Sequence, residues 1–174
     1  MKKILGISGS TRAGSTCMTI LQTIAERHAH EAYFSLCPNL ASLPHFDPDA
    51  EDIHLPAAVL AFRSEVEAAD AVIFCTPEYV FSVPAILKNA IEWCVASTVF
   101  SEKPTAMIVA SGGGEKTFES LGLILRTIQA KITPDTMLLF SGVRGRMRGK
   151  DEITDADDLA KLDALFGALT GLSE

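Results

Sequence analysis

The 174-residue sequence predicts an α/β fold, a parallel sheet with helices on both faces. Apolar residues make up 48% of the chain and fall in short runs of strand length, separated by stretches with helical spacing. The segment "DAVIFCTPEY" is apolar without a break from Ala71 to Cys75, as strands covered on both faces are. Strands alternating with helices close through right-handed crossovers, which makes neighbouring strands parallel.

Lys3 to Ser8 reads as the first buried strand, and Thr16 to His28 as a helix with Ile20, Leu21, Ile24 and Ala25 on its apolar face. A second strand covers Ala32 to Cys37. Pro38 to Pro56, rich in proline, aspartate and histidine, reads as a long connection. Ala57 to Ala69 is helical, with Val59, Leu60, Phe62, Val66 and Ala69 toward the core. The third strand is the apolar run already quoted. Pro84 opens a helix to about Ala96, since proline in a first turn loses no useful hydrogen bond. "PTAMIVAS" is the fourth strand, Thr117 to Gln129 a helix, and Asp135 to Phe140 the fifth strand. A last helix runs from Asp155 to Leu169, with Leu159, Leu162, Leu165, Phe166 and Leu169 inward. No repeat or linker divides the chain, so residues 1–174 are expected to form one domain.

A net charge of −7 argues against broad attraction to nucleic acid. No apolar run reaches the ~18–20 residues a bilayer span needs, and the apolar stretch after Lys2 and Lys3 is interrupted too soon for a secretory signal. Cys17, Cys37, Cys75 and Cys94 show no metal or disulfide spacing and read as reduced, mostly buried thiols. The expected compartment is the cytoplasm, with no metal, membrane or nucleic-acid partner. The cationic run "RGRMRGK", Arg144 to Lys150, is followed at once by Asp151, Glu152, Asp155, Asp157 and Asp158, and reads as a solvated, locally compensated surface. His28, His30, His45 and His54 fall in helix ends or connections and read as surface residues.

Ligands of open parallel sheets bind beyond the carboxyl ends of the strands, which directs attention to the loops after the first, third and fourth strands. The first is "GISGSTRAGST", Gly6 to Thr16. Its glycines permit close backbone approach, Ser8, Ser10, Thr11, Ser15 and Thr16 offer hydroxyls, Arg12 adds a forked cation, and the following helix presents free N–H groups. Gly9, Gly14 and Thr16 match G-x-x-x-x-G-K-[ST], but Ser15 replaces the lysine that reaches the β- and γ-phosphates, so a nucleoside triphosphate fits poorly. Gly6, Gly9 and Gly14 do not make G-x-G-x-x-G either. A single terminal phosphate held without metal remains, and flavin mononucleotide (FMN) carries one.

The second loop, "TPEYVFSVPAILKNAIEW" from Thr76 to Trp93, brings a resemblance. With Gly9, Ser10, Arg12 and Ser15, its residues Pro77, Glu78, Tyr79, Ser82, Pro84, Leu87, Lys88, Asn89, Ala90, Ile91 and Trp93 resemble the signature of the NADPH-dependent FMN reductases. This family has a flavodoxin-like three-layer fold and includes quinone, azo-dye and chromate reductases. The resemblance implies a five-stranded parallel sheet of order 2-1-3-4-5, FMN as cofactor, and NADPH or NADH as electron donor. It implies that Ser8, Ser10, Arg12, Ser15, Thr16 and Cys17 surround the phosphate. Pro77, Glu78, Tyr79, Val80 and Phe81 would wrap the flavin ring, and Ser111, Gly112, Gly113 and Gly114 of the third loop would lie beside it. Cys17 and Val80 stand where the family often has asparagine, and Glu115 or Lys116 where it has a further glycine.

With FMN across these loops the reactive chemistry belongs to the cofactor, so no catalytic residue is assigned. The implied reaction is ping-pong reduction of small acceptors such as quinones, azo compounds, free flavin or metal oxyanions. Arg12, Lys116 and Arg126 are the cations considered for a nicotinamide 2′-phosphate. The resemblance also implies a homodimer or homotetramer, with the loop around Phe81 and the helix after Pro84 near the subunit contact. An electron-carrying flavodoxin and a flavodoxin-fold binding protein without cofactor are the alternatives. Cys75, next to the second loop, reads as a buried strand thiol rather than a nucleophile.

Overall fold

The computed structural model describes residues 1–12, 14–37, 40–50, 54–149 and 152–172. The elements are β1 (Lys2–Ser8), α1 (Thr16–Arg27), β2 (Ala32–Leu36), α2 (Ala57–Ala68), β3 (Ala71–Thr76), α3 (Ala85–Glu92), β4 (Thr105–Val109), α4 (Glu115–Thr127), β5 (Met137–Leu139), α5 (Val143–Arg146) and α6 (Ala156–Gly171). All strands are parallel, in the order β2-β1-β3-β4-β5, as expected. Alternation along each strand sorts the core into two layers. Ala71, Ile73 and Cys75 of β3 join Ile20, Ile24, Leu162 and Phe166 of α1 and α6. Val72 and Phe74 face the other way, among Phe62, Val66, Leu87, Ile91, Leu121 and Leu125 of α2, α3 and α4. Every residue of β3 and β4 is buried, which is why these two strands show no polar face in sequence.

Element ends differ from expectation for identifiable reasons. The helix opened by Pro84 stops at Glu92, not Ala96. There the chain tightens into i→i+3 bonds, Cys94 N to Ile91 O at 2.9 Å and Val95 N to Glu92 O at 3.0 Å, while Arg63 takes the Trp93 carbonyl from outside at 2.7 Å. β5 is only three residues long, because Pro134–Thr136 forms a 3₁₀ turn closed by a reciprocal Thr133–Thr136 capping box. The fourth helix starts two residues early, at Glu115, behind Gly114 with φ of 111°.

The long connection before α2 is tied down. Asn89 Nδ2 and Trp93 Nε1 both donate to the Pro44 carbonyl, at 2.9 and 2.8 Å, and the Phe46 amide donates to Asn89 Oδ1 at 2.8 Å. Phe46 meets Trp93 edge to face. Asn89 and Trp93, among the most recognisable residues of the second motif, are therefore a staple for residues 44–46.

One surface assignment is corrected and another is given detail. His28 is not an ordinary surface histidine: its ring stacks on Phe166 with centroids 3.9 Å apart and lies between Glu31 at 2.9 Å and Asp163 at 3.1 Å. The cationic run after β5 is exposed at Arg144, Arg146 and Arg148 and compensated at Arg146, but it is anchored from beneath. Val143 and Met147 are buried, and Arg146 forks onto both oxygens of Asp158 at 2.7 and 3.0 Å. The Asp158 side chain is 2% exposed against 40% for Arg146. Lys150 and Asp151 lie outside the described residues.

The β3–α3 connection contains a two-residue hairpin. Tyr79 and Ser82 exchange both backbone hydrogen bonds at 3.1 Å, and Val80 and Phe81 at its tip have φ of 53° and 54°. Two successive left-handed residues define a type I′ turn, which favours Asn-Gly and penalises a β-branched side chain.

Two outcomes are expected. Asp158 is held below its ordinary 3.8, first by the hydrogen bond from Arg146, against the opposing effect of burial. A carboxylate whose folded pKa is depressed adds stability that is complete above the unfolded value and lost as pH falls through the folded one. Asp158→Asn should thus cost about 1–3 kcal/mol at neutral pH, and denaturant melts should show the gap to wild type closing below pH ~3.8. The double change Val80→Asn, Phe81→Gly should add about 1–2 kcal/mol, read as a Tm higher by several degrees.

Candidate functional site

The carboxyl ends of four strands finish level with one another: Ser8 pairs with Cys75, Thr76 with Val109, and Val109 with Leu139. Their loops enclose a cleft with a volume of about 960 Å³, beside the point where strand order reverses between β1 and β3.

The β1–α1 loop forms one wall through Ser10, Arg12, Gly14, Ser15, Thr16 and Cys17. Gly14 has φ of 63°, which lets the chain turn into the helix. Ser15 is the N-cap: its Oγ accepts from the Met18 amide at 3.2 Å, leaving its hydroxyl hydrogen free to donate. The first turn of α1 contains no acidic residue, so nothing in it neutralises the positive end of the helix dipole. Hydroxyls, a guanidinium and helix-terminal amides suit a dianionic phosphomonoester.

Ser8 and Gly9 have other duties. Ser8 Oγ donates to the Ser10 carbonyl at 3.3 Å and accepts from the Ser10 amide at 3.2 Å, bracing the loop rather than lining the cleft. The Gly9 amide donates to Cys75 O at 2.8 Å, and a Cβ at Gly9 would lie 2.3 Å from Thr76 Oγ1. Glycine is required there for contact between strands, not with an anion.

Pro77, Glu78 and Tyr79 form the second wall. The Glu78 side chain reaches across the loops: Oε2 accepts from the Thr117 amide at 2.9 Å, capping the first turn of α4 with a carboxylate. That capping explains the early start of the helix. Val80 and Phe81 do not line the cleft. They stand 95% and 79% exposed at the hairpin tip.

In the β4–α4 loop, Ala110, Ser111 and Gly112 line the cleft. Gly113 and Gly114 shape the loop instead. The Gly113 carbonyl accepts from Ser141 Oγ at 3.1 Å, and Gly114 is the left-handed cap of α4. The departure sites Glu115 and Lys116 are not among the lining residues, and Lys116 pairs with Glu119 at 2.9 Å. Arg126 lies against Met137 Sδ at 3.7 Å, on the body of α4. Of the three cations considered for a nucleotide phosphate, Arg12 alone lines the cleft.

A fourth wall was not expected. Gly142, Val143, Arg144 and Gly145, after β5, complete the cleft. In a parallel sheet every carboxyl-end loop opens at the same end, so topology places this loop beside the others; the acidic residues after it obscured that in sequence.

Cys17 and Cys75 are both buried beneath the first loop. Burial, and then contact with Cys17, pushes the Cys75 thiol well above its usual range, which makes it a poor nucleophile. Cys37 is likewise pushed up to about 12, by burial and the neighbouring Glu65. Among the described residues no helix is long and apolar enough to cross a membrane.

The family model for NADPH-dependent FMN reductases matches residues 2–143. The NAD(P)H-dependent FMN reductase PA1204 of Pseudomonas aeruginosa is 39% identical over 113 residues, spanning 64% of this chain and 60% of that protein. A quinone reductase of Escherichia coli K12 is 27% identical over 178 residues, covering 99% of this chain and 94% of the relative. Among solved structures, the flavoenzyme NAD(P)H:(acceptor) oxidoreductase FerB from Paracoccus denitrificans superposes with a TM-score of 0.83 at 25% identity, over 99% of this chain and 97% of its own. With the family model covering most of its length, the chain belongs to the NADPH-dependent FMN reductases, oxidoreductases that work with FMN and NAD(P)H.

Proposed function

We propose that this chain, as a single domain, holds FMN in the cleft and reduces small acceptors with NADH or NADPH. Quinones lead the acceptors, with azo compounds, free flavin and metal oxyanions as alternatives of the same open site. The observation that carries the reading is the donor set of the β1–α1 loop: Ser10, Arg12, Ser15 and Thr16 line one wall at an acid-free helix N-terminus. Those residues would hold the phosphate. Pro77, Glu78, Tyr79, Ser111 and Gly112 would border the ring through backbone groups and the Tyr79 ring.

When bound, the flavin supplies hydride acceptance from the nicotinamide and transfer of electrons to the second substrate, the two halves of a ping-pong cycle. The protein's own contribution is positioning and exclusion of water. Glu78 is a positioning residue in this scheme, since it locks the β3–α3 loop to α4. The exposed hairpin tip of Tyr79, Val80 and Phe81 and its resemblance to the family support assembly into a homodimer or homotetramer near that loop. The cytoplasm is the compartment that suits the reaction and four cysteines outside any disulfide among the described residues.

Titration of FMN into apoprotein, followed by quenching of flavin fluorescence, tests the site. Arg12→Gln and Ser10→Ala should each weaken binding by about tenfold with an unchanged Tm. Absence of binding by the folded wild-type protein, or no turnover of NADH or NADPH with menadione, rejects the function. Glu78→Ala should lower stability by about 1 kcal/mol and weaken FMN binding as well. Glu78→Gln, which keeps an acceptor for the Thr117 amide, should restore most of both.

A further inference from the structure

We infer that Arg144 is a second anion-recognition residue of the cleft, one that selects for a negatively charged group on the substrate entering beside the flavin. This rests on the flavin reading of the cleft. Among the described residues, two arginines, Arg12 and Arg144, line the cleft with one acidic residue, Glu78. That carboxylate is engaged by the Thr117 amide at 2.9 Å, so the lining is net positive in a chain whose overall charge is −7.

Neither lining arginine has a side-chain hydrogen bond or ion pair among the described residues. The contrast with Arg146 is direct. Two positions further on, Arg146 is taken up by both Asp158 oxygens at 2.7 and 3.0 Å and by the Ser141 carbonyl at 3.1 Å. Arg144 remains exposed at the wall, while its neighbour is compensated.

The turn that carries Arg144 is fixed at its root. The Gly142 amide donates to Ser111 O at 2.8 Å, Ser141 Oγ donates to Gly113 O at 3.1 Å, and Val143 is 1% exposed. A guanidinium on an anchored backbone loses less freedom when it takes an anion than one on a loose loop.

Arg12 and Arg144 stand on different walls of the cleft. Arg12 follows β1 and Arg144 follows β5, with β3 and β4 between them in the sheet. At ~4.8 Å per strand the ends of β1 and β5 lie about 14 Å apart. A phosphate seated on the β1–α1 loop already has Ser10, Ser15, Thr16 and helix amides around it. A cleft of about 960 Å³ lies near the top of the ~300–1,000 Å³ range of small-molecule sites, leaving room for a second group on the Arg144 side. The chemistry a fork of N–H donors recognises is a phosphate, carboxylate or sulfonate. It can be carried by the donor, as the 2′-phosphate of NADPH, or by the acceptor.

Arg144→Gln decides this against wild type, both loaded with FMN. Two ratios of kcat/KM are measured: NADPH over NADH, and anthraquinone-2-sulfonate over neutral menadione. At least one ratio should fall by about fivefold or more. A fall in the first assigns the anion to the donor, a fall in the second to the acceptor. In wild type the preference should shrink with added salt, and in the variant it should be flat. Both ratios unchanged would overturn the inference. If wild type does not take up FMN, the flavin reading fails separately, and calorimetric titration of NADPH and of anthraquinone-2-sulfonate into unloaded protein still decides. Weaker binding by the variant supports the role of Arg144, and equal or absent binding in both proteins overturns it.

Discussion

The cleft depends on how closely β1 and β3 meet at their carboxyl ends. The Gly9 amide reaches the Cys75 carbonyl at 2.8 Å, and no side chain fits at Gly9 beside Thr76. That contact extends the ladder one residue beyond β1, so the first loop leaves the sheet beside the Pro77–Tyr79 wall. Strand order reverses at the same place, which sends α1 to one face and α3 to the other and opens a gap between them. The remaining loops then complete an enclosure whose floor is fixed by burial of β3 and β4 on both sides. A methyl group at position 9 would push apart the two walls that must cooperate.

Above that floor, the walls are cross-linked to one another rather than supported singly. Glu78 joins the second loop to α4, Ser141 and Gly142 join the loop after β5 to the loop after β4, and Ser8 braces the first loop internally. The polar groups spent in this way are not available to a ligand. What is left along the cleft is backbone, small hydroxyls, the apolar surface of Pro77, Tyr79 and Val143, and two arginines, a surface suited to anions and flat rings more than to acid–base chemistry.

Much of this was legible in the sequence because it rests on local signals. The uninterrupted apolar run of β3 marks a two-sided strand, and helical spacing marks α1, α2 and α6. The hydroxyl-rich loop after β1 announces its chemistry by composition. What the sequence concealed depends on contacts between distant segments. Asn89 and Trp93 resemble site residues because they sit in a recognisable motif, yet they hold Pro44 and Phe46. Glu78 lines the cleft and at the same time caps α4, a second duty that no local signal announces. Arg144 was hidden by its acidic followers, since the pairing of Arg146 with Asp158, and not of Arg144, is decided by the folding back of α6.

The two departures from the family signature bear on the same distinction between backbone and side chain. Cys17 lies in the first turn of α1, 2% exposed and beside Cys75, where its thiol belongs to the core layer and its amide to the helix terminus. An asparagine there would offer a side-chain contact, but the N-terminal amides and the dipole do not depend on residue type. Val80 holds φ of 53°, the conformation an asparagine takes at lower cost. The hairpin therefore keeps its shape at the expense of strain, and the exchanged Tyr79–Ser82 hydrogen bonds keep Tyr79 at the wall. In both places the substitution removes a side-chain contribution and leaves the main-chain geometry intact. The main-chain donors of both loops absorb such changes, and Arg144 gains its weight because, among the described residues, it is one of the few side chains lining the cleft whose charge is not already committed elsewhere.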